Sequence, residues 1–469
     1  MQQQKPLVEA LQKFQQQKTM SFHVPGHKNG QLTTLPSIYH NVLQMDVTEL
    51  TTLDDLHYPE ECILEATKLL QQTYDASRSF FLVNGSTVGN LAMIYATCQQ
   101  GDTVLVQRNA HKSVFHALEL VGAVPVVLAP EWHEETKTAG HIALHTLVHA
   151  LAQYPFAKAL ILTSPTYYGV TAPHLQQLIE QAHAYSIPVL VDEAHGAHFA
   201  ASSHFPASAL TLGADVVVQS AHKTLSAMTM ASFLHVKSTL VDEERIAKYL
   251  RMLQSSSPSY VLLASLDDAR HQVANYTQAD YHALMQIRTQ LIDALRMMEL
   301  VVIEAADPLK LCIRAEGYNG FQLKAALEKQ HVYAELADNE QVLFVLPLVT
   351  ADAQLTYQKE IEAIRHAVTH LQKEQPIHKV FPTLDYTERV TCIERSRATK
   401  QQLVTLEQAI GQRSAQSIVP YPPGIPLMMH GETITAQHIE ALLHYQQLGC
   451  QIQGEHDLTN NQLYVMKED

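Results

Sequence analysis

The chain has 469 residues, 46% of them hydrophobic, enough for about two or three packed domains around a large core. A formal net charge of −15, aromatic residues at 7% and a single Trp argue against nucleic-acid or anionic-membrane partners, which need basic patches and stacking surfaces. Cys62, Cys98, Cys312, Cys392 and Cys450 form an odd, dispersed set without C-x-x-C spacing, the pattern of reduced thiols in a cytosolic protein.

The N-terminus, M-Q-Q-Q-K-P, carries no apolar leader core, and no stretch approaches the ~18 uninterrupted apolar residues of a membrane helix, so a soluble, cytoplasmic protein is expected. Residues 1–20 predict a Gln-rich amphipathic helix with Leu7, Leu11 and Phe14 on one face, packed on another subunit or on the chain's own core. From about residue 60 to 285, apolar runs alternate with helical patterns. Strands are expected at Phe80–Val83, Thr103–Gln107, Val124–Ala129, Ala159–Thr163, Ile187–Asp192, Asp215–Gln219 and Ala231–Val236, and helices at Val88–Cys98, Lys112–Val121 and Pro173–Tyr185. Such alternation argues for an α/β fold, a mostly parallel sheet sandwiched by helices.

Beyond residue 285, strands at Val301–Ala305, Lys310–Arg314 and Gln341–Pro347 and helices at Phe321–Lys329 and Tyr357–Gln372 suit a smaller α+β domain. Glu374–Thr383, with two prolines, reads as a linker to a last domain with helices Thr399–Gly411 and Ala436–Gln447. The expected division is an N-terminal arm (1–60), a large α/β domain (61–285), a small α+β domain (286–373) and a C-terminal domain (374–469). Most of the 27 histidines fall singly on polar stretches, and His133, His141, His145 and His149 are expected at the surface.

Three motifs sit at strand ends. V-N-G-S-T-V-G-N (Val83–Asn90) joins a strand to a helix N-terminus, where free backbone N–H groups and the hydroxyls of Ser86 and Thr87 suit a phosphate. An ordinary N-cap is the alternative, and the spacing is not that of a P-loop or a dinucleotide fingerprint. I-P-V-L-V-D-E-A-H-G-A-H (Ile187–His198) places Asp192 at the carboxyl end of a buried strand, where open α/β sheets bind ligands. A carboxylate there can keep a pyridine nitrogen protonated. Metal ligation by Asp192, His195 and His198 competes, but no cysteine or further carboxylate cluster completes a shell. Finally, Q-S-A-H-K-T-L-S-A-M (Gln219–Met228) sets Lys223 just after Ser220 and His222. An ammonium directly behind a buried strand must be paired, neutralised or chemically used, and an imine with an aldehyde cofactor uses it. A surface lysine opening a loop is the alternative.

With H-V-P-G-H-K (His23–Lys28), L-D-D-L-H (Leu53–His57), Q-R-N-A-H-K-S (Gln107–Ser113), S-P-T-Y-Y-G (Ser164–Gly169), S-S-S-P-S-Y (Ser255–Tyr260) and Y-P-P-G-I-P (Tyr421–Pro426), these motifs resemble the Orn/Lys/Arg decarboxylases of aspartate-aminotransferase fold (fold type I). The likeness spans nearly the whole chain and is to the short bacterial form without the N-terminal wing domain. It implies pyridoxal 5'-phosphate anchored on Lys223, with the ring paired to Asp192 and stacked on His111 and with His195 on the ring-oxygen side. Ser86, Thr87, Ser220 and His222 then surround the phosphate, Thr166 sits in the loop that faces the ring, and His23 and Lys28 lie near the mouth. It further implies a homodimer with shared active sites, Ser255 and Ser256 reaching the partner's phosphate. For these serines a solvated turn is the alternative, and for His111 a helix-opening histidine.

The implied reaction is decarboxylation of a small basic amino acid, arginine ahead of lysine and ornithine, to the amine and CO2, in polyamine biosynthesis. The substrate's distal cation needs a carboxylate, for which Asp54, Asp55 and Glu49 are candidates, with a solvated loop as the alternative for each. Another fold-type I reaction competes: β-elimination, or transamination with Arg314 holding the substrate α-carboxylate. A non-catalytic protein that binds the cofactor is a third reading. The chain departs from the family pattern at Ala110 (usually Cys), at Ser226 (commonly Pro), at Gly411–Gln416, and at His430-Gly431-Glu432, where P-G-E is usual.

Overall fold

The computed structural model describes residues 2–17, 19–371, 390–393, 400–421, 424–447 and 449–467. The principal elements up to residue 296 run α1 (Pro6–Gln16), α2 (Cys62–Tyr74), β1 (Arg78–Leu82), α3 (Gly85–Thr97), β2 (Thr103–Gln107), α4 (Lys112–Val121), β3 (Val124–Leu128), α5 (Leu144–Gln153), β4 (Ala159–Thr163), α6 (Leu175–Ala184), β5 (Val189–Asp192), β6 (Val216–Gln219), β7 (Ser232–Val236), α7 (Glu243–Leu253), α8 (Tyr260–Ala274) and α9 (Gln278–Arg296). They belong to two compact units interleaved along the chain, one of residues 1–98, 173–284 and 347–353, the other of residues 99–172, 285–346 and 354–469.

In the first unit β5 runs parallel to β6, with Val191 opposite Val217. β7 is antiparallel to β6 and β1 is antiparallel to β7. The strands are fully buried apolar runs, as a helix-covered sheet requires. Helix α3 packs on β1, β5, β6 and β7. Gly89 permits that approach, because a Cβ there would come within 2.7 Å of Val218 and 2.9 Å of Leu82. The N-terminal helix buries Leu7, Leu11 and Phe14 and packs on α2 and α8, so its apolar face is covered by its own chain. Its first turn is tied down by charge: fully buried Arg270 pairs with Asp267 at 2.6 Å, and Asp267 accepts the Leu7 N–H at 2.9 Å.

In the second unit β4, β2 and β3 are parallel neighbours, Leu105 standing opposite both Leu160 and Val126. The strand Val390–Cys392 adds antiparallel to β3. The parallel strands linked through helices give the helix-flanked, mostly parallel α/β architecture that the sequence predicts. Lys310–Ala315 lies between Leu300–Glu304 and Val342–Val345 in an antiparallel sheet, the smaller α+β portion. The last portion is β-rich, with Gln462–Lys467 pairing both Lys400–Thr405 and His456–Asp457.

Two expectations are corrected. The helix expected over Thr399–Gly411 is instead the strand Lys400–Thr405 followed by one turn, Leu406–Ala409. K-Q-Q-L-V-T alternates exposed and half-buried positions, a period of two, and the Thr405 side chain then caps the turn by accepting the Gln408 N–H. His141 is buried rather than exposed; its Nε2 donates to the Val170 carbonyl at 2.9 Å, and burial pushes its pKa down to about 4. The linker Glu374–Thr383, Gln372, Thr399, Pro422 and Pro423 lie outside the described residues. Among those described, no helix is long and apolar enough to cross a membrane.

Candidate active site

The first unit brings most of the expected site residues to the carboxyl ends of β5 and β6. Asp192 closes β5 and is 3% exposed. Its two oxygens each accept one hydrogen bond, from Asn90 Nδ2 at 2.9 Å and from the Ala194 N–H at 3.2 Å. Lys223 stands in the single turn Ala221–Thr224 that follows β6, its Nζ 3.1 Å from Nε2 of buried His195. Ser220 Oγ donates to Ser86 Oγ at 2.9 Å, which joins the end of β6 to the first turn of α3. That helix begins at Gly85, earlier than the pattern suggests, so Ser86 and exposed Thr87 lie within its first turn. Gly85 has a φ of +75°, and among the described residues nothing beyond its own chain neighbours and helix backbone lies within 4 Å of where its Cβ would be. The result is an open helix N-terminus lined with hydroxyls, suited to an anion. His222 donates from Nδ1 to the Ala231 carbonyl at 3.0 Å, which leaves Nε2 to carry the acceptor lone pair of the neutral ring.

Other expected residues have local tasks. His198 is enclosed edge-on by Phe199 and Phe205, with ring centroids 4.8 and 4.9 Å away. Ser255 and Ser256 are exposed; the Ser255 N–H donates to Asn84 Oδ1 at 3.4 Å and its hydroxyl donates to the Ser257 carbonyl at 3.1 Å. This loop is therefore anchored just ahead of its own chain's α3. Asp54 caps α2: its Oδ1 accepts the Glu60 N–H at 2.8 Å, and its Oδ2 accepts those of Glu61 at 2.8 Å and Ile63 at 2.9 Å. Asp55 accepts the His57 N–H at 2.7 Å, and Glu49 accepts the Ser257 hydroxyl at 3.2 Å. Lys28 donates through Nζ to the His23 carbonyl at 2.5 Å.

His111 and Thr166 lie in the second unit. His111 is the N-cap of α4 and accepts the Ser113 N–H on Nδ1 at 3.2 Å, so the proton of the neutral ring sits on Nε2. The helix-opening role is thus real, and it also fixes the ring. Buried Thr166 closes a turn, its N–H donating to the Val170 carbonyl at 2.9 Å and its Oγ accepting the Val170 N–H at 3.3 Å. Arg314 donates to Gln341 Oε1 at 2.9 Å and to the Glu135 carbonyl at 2.9 Å.

Family profiles match most of the chain. The profile of the Orn/Lys/Arg decarboxylase major domain matches residues 5–308, and that of the C-terminal domain of the same enzymes matches residues 370–455. The chain belongs to the Orn/Lys/Arg decarboxylase family. This family member is 45% identical to the uncharacterized protein YaaO of Bacillus subtilis, over 99% of both chains. It is 33% identical to the arginine decarboxylase of Bacillus subtilis, over 99% of this chain and 98% of that one. The crystal structure of the Francisella novicida lysine decarboxylase LdcF superposes with a TM-score of 0.80 at 19% identity, over 98% of this chain and 81% of that one, which establishes the common fold.

The residues present fit pyridoxal 5'-phosphate. A buried carboxylate held by two donors, an amine in reach of an imidazole, and an open, hydroxyl-lined helix N-terminus are the donor set that the ring nitrogen, the aldehyde and the phosphate require.

Two features of this decarboxylase-family site escape the sequence reading. Asn90 orients Asp192, and its signal was present: Ser86 and Asn90 are four residues apart on α3, hence on one face. The second feature is a buried polar chain beneath the strand ends. Glu193, 1% exposed, accepts from Ser208 Oγ at 2.7 Å, the Ala209 N–H at 2.7 Å and Gln219 Nε2 at 2.6 Å. Gln219 Oε1 in turn accepts from His235 Nε2 at 3.3 Å, and His235 Nδ1 accepts from Ser79 Oγ at 2.8 Å. His235 stacks on Tyr74 at 4.3 Å, and burial pushes its pKa down to about 3, so it is neutral.

Burial pushes the Glu193 carboxyl up to about 7 from an ordinary 4.5, against the pull of its three donors. A carboxyl raised on folding holds its proton more tightly in the native state than in the unfolded chain. Its contribution therefore falls as pH rises from about 4.5 to about 7, by about 3 kcal/mol in all, and is level outside that window. Glu193→Gln is expected to remove that downward slope from the unfolding free energy measured by denaturant titration between pH 5 and 8. An unchanged slope would show that Glu193 is ionised throughout.

Proposed function

We propose that this protein is a pyridoxal 5'-phosphate-dependent decarboxylase of a basic amino acid, arginine first and lysine or ornithine next, releasing the amine and CO2. One observation carries the reading: the Lys223 amine lies 3.1 Å from His195 in the same cluster as the buried, doubly held carboxylate of Asp192. The 33% identity to an arginine decarboxylase over 99% of this chain supports the choice of arginine.

In this reading Lys223 would hold the cofactor through its amine and would give a proton to the substrate α-carbon once CO2 has left. Asp192, held by Asn90 and the Ala194 N–H, keeps the pyridine nitrogen protonated. His195 and His111 bound the ring, Thr166 belongs to the loop facing it, and Ser86, Thr87, Ser220 and His222 surround the phosphate. When bound, the cofactor supplies an electron sink for the pair left as CO2 departs. The test is to supply pyridoxal 5'-phosphate with arginine, lysine or ornithine in turn and weigh the product. Amine with CO2 release is expected; a keto acid would mean transamination, and no turnover a binding protein.

The same reading includes a cytoplasmic homodimer built on an N-terminal arm. Residues 20–42 expose Phe22 at 96%, Met20 at 89%, Ile38 at 81% and Leu32 at 71%, apolar surface that a second copy would cover. It keeps the large, small and C-terminal domains at residues 61–285, 286–373 and 374–469. Ser255 and Ser256 complete the partner's phosphate site in such a dimer. Mixing Lys223→Ala with a Ser255/Ser256 double-alanine variant is then expected to restore activity, because one site of each mixed dimer is intact. Inactive verified heterodimers would mean that each chain builds its own site, as the Ser255–Asn84 hydrogen bond allows.

A further inference from the structure

The turn that carries His111 is gripped on both flanks by the C-terminal part of the chain. On one flank stands Arg108, 2% exposed. Its guanidinium donates to the carbonyls of Pro426 at 3.0 Å and Leu427 at 2.9 Å and to Glu432 Oε2 at 3.1 Å. The same Glu432 oxygen accepts the Met429 N–H at 2.8 Å, so a single carboxylate closes the loop that receives the guanidinium. On the other flank the Lys112 N–H donates to the Gly424 carbonyl at 3.3 Å, and Lys112 Nζ donates to Gln453 Oε1 at 2.7 Å. Between them, Gly424 at φ +90° lies edge to edge with the imidazole, the position of its missing Cβ being 3.5 Å from His111 Cδ2.

A buried guanidinium is held by fixed carbonyls and a carboxylate only if all of them stay in register, which makes this contact selective for one placement of the turn. The neighbouring residues reinforce it: Gln107 Nε2 donates to Asn109 Oδ1 at 2.8 Å, and Asn109 Nδ2 donates to the Gly140 carbonyl at 3.0 Å.

We propose that Arg108 and Glu432 are a positioning pair through which the segment Gly424–Glu432 sets the placement of His111 over the reacting centre. The inference rests on the functional reading above, in which His111 bounds the cofactor ring. It assigns the C-terminal portion the task of holding that imidazole rather than of touching the substrate.

Glu432→Gln keeps the size and an acceptor for Met429 while removing the charge. Amide hydrogen exchange of the purified enzyme, without substrate, is expected to quicken about tenfold or more over residues 107–113, with β5 and β6 protected as before. Turnover is expected to fall about tenfold to a hundredfold with KM within about twofold, since the reacting geometry and not substrate binding is disturbed. Arg108→Lys, which keeps the charge but loses the fork, is expected to behave alike and serves if Glu432→Gln does not fold. Unchanged exchange over 107–113 in a folded variant overturns the proposal, as does a loss confined to KM. A wild-type enzyme that makes no amine overturns the functional reading instead, while the exchange measurement still decides whether the pair holds the turn.

Discussion

Lys223→Ala is expected to leave no cofactor trapped on the chain after borohydride reduction and to lower amine production by about a thousandfold or more, the scale seen when a covalent group is removed. The substitution falls in a one-turn helix, Ala221–Thr224, where alanine is a good helix former, so the fold is expected to survive. Its effect is chemical. The amine beside His195 is the group in this cluster able to bond an aldehyde carbon, and the substitution deletes it. Peptide mapping of the reduced wild-type protein checks the assignment directly, since label on any other lysine would refute it.

Asp192→Asn is expected to lower turnover by about a hundredfold to ten-thousandfold while cofactor still binds. Size is preserved and charge is lost, so in the proposed site the pyridine nitrogen would no longer be held protonated. The local geometry sharpens the expectation. Both carboxylate oxygens of Asp192 already accept a hydrogen bond, one from Asn90 and one from the Ala194 N–H. An amide offers one oxygen, so one of these donors must face an NH2 group, and the side chain loses both its charge and its fixed orientation. Cofactor retention is read from its absorbance after gel filtration and turnover from amine release. Near-normal turnover in the variant would remove Asp192 from the site.

Much of this arrangement was legible in the chain itself. Fully buried strands of a helix-covered sheet are short apolar runs, so Thr103–Gln107 and Ala159–Thr163 stand out from composition alone, and Lys112–Val121 stands out by its helical period. Because α/β sheets present their chemistry at the carboxyl ends of strands, Asp192 and Lys223 are identifiable once β5 and β6 are located. These are local properties, carried by residues within one or two turns of each other.

Partnership across the chain is a different matter. Asn90 finds Asp192 across 102 residues and Arg108 finds Glu432 across 324, and no local periodicity records either pairing. Asp54 reads as a free loop carboxylate until the fold delivers the first N–H groups of α2 to it. His141, on a polar stretch, is buried because the carbonyl that accepts its proton belongs to Val170. Glu193 sits beside Asp192 in sequence, yet alternation along the chain turns it toward Ser208 and Gln219, where burial rather than any neighbouring charge raises its pKa. Sequence by itself determined which segments form strands and helices and which side chains stand at the strand ends. Only the tertiary structure decided which polar groups meet, because the desolvation that makes each pairing necessary exists only after distant segments have packed.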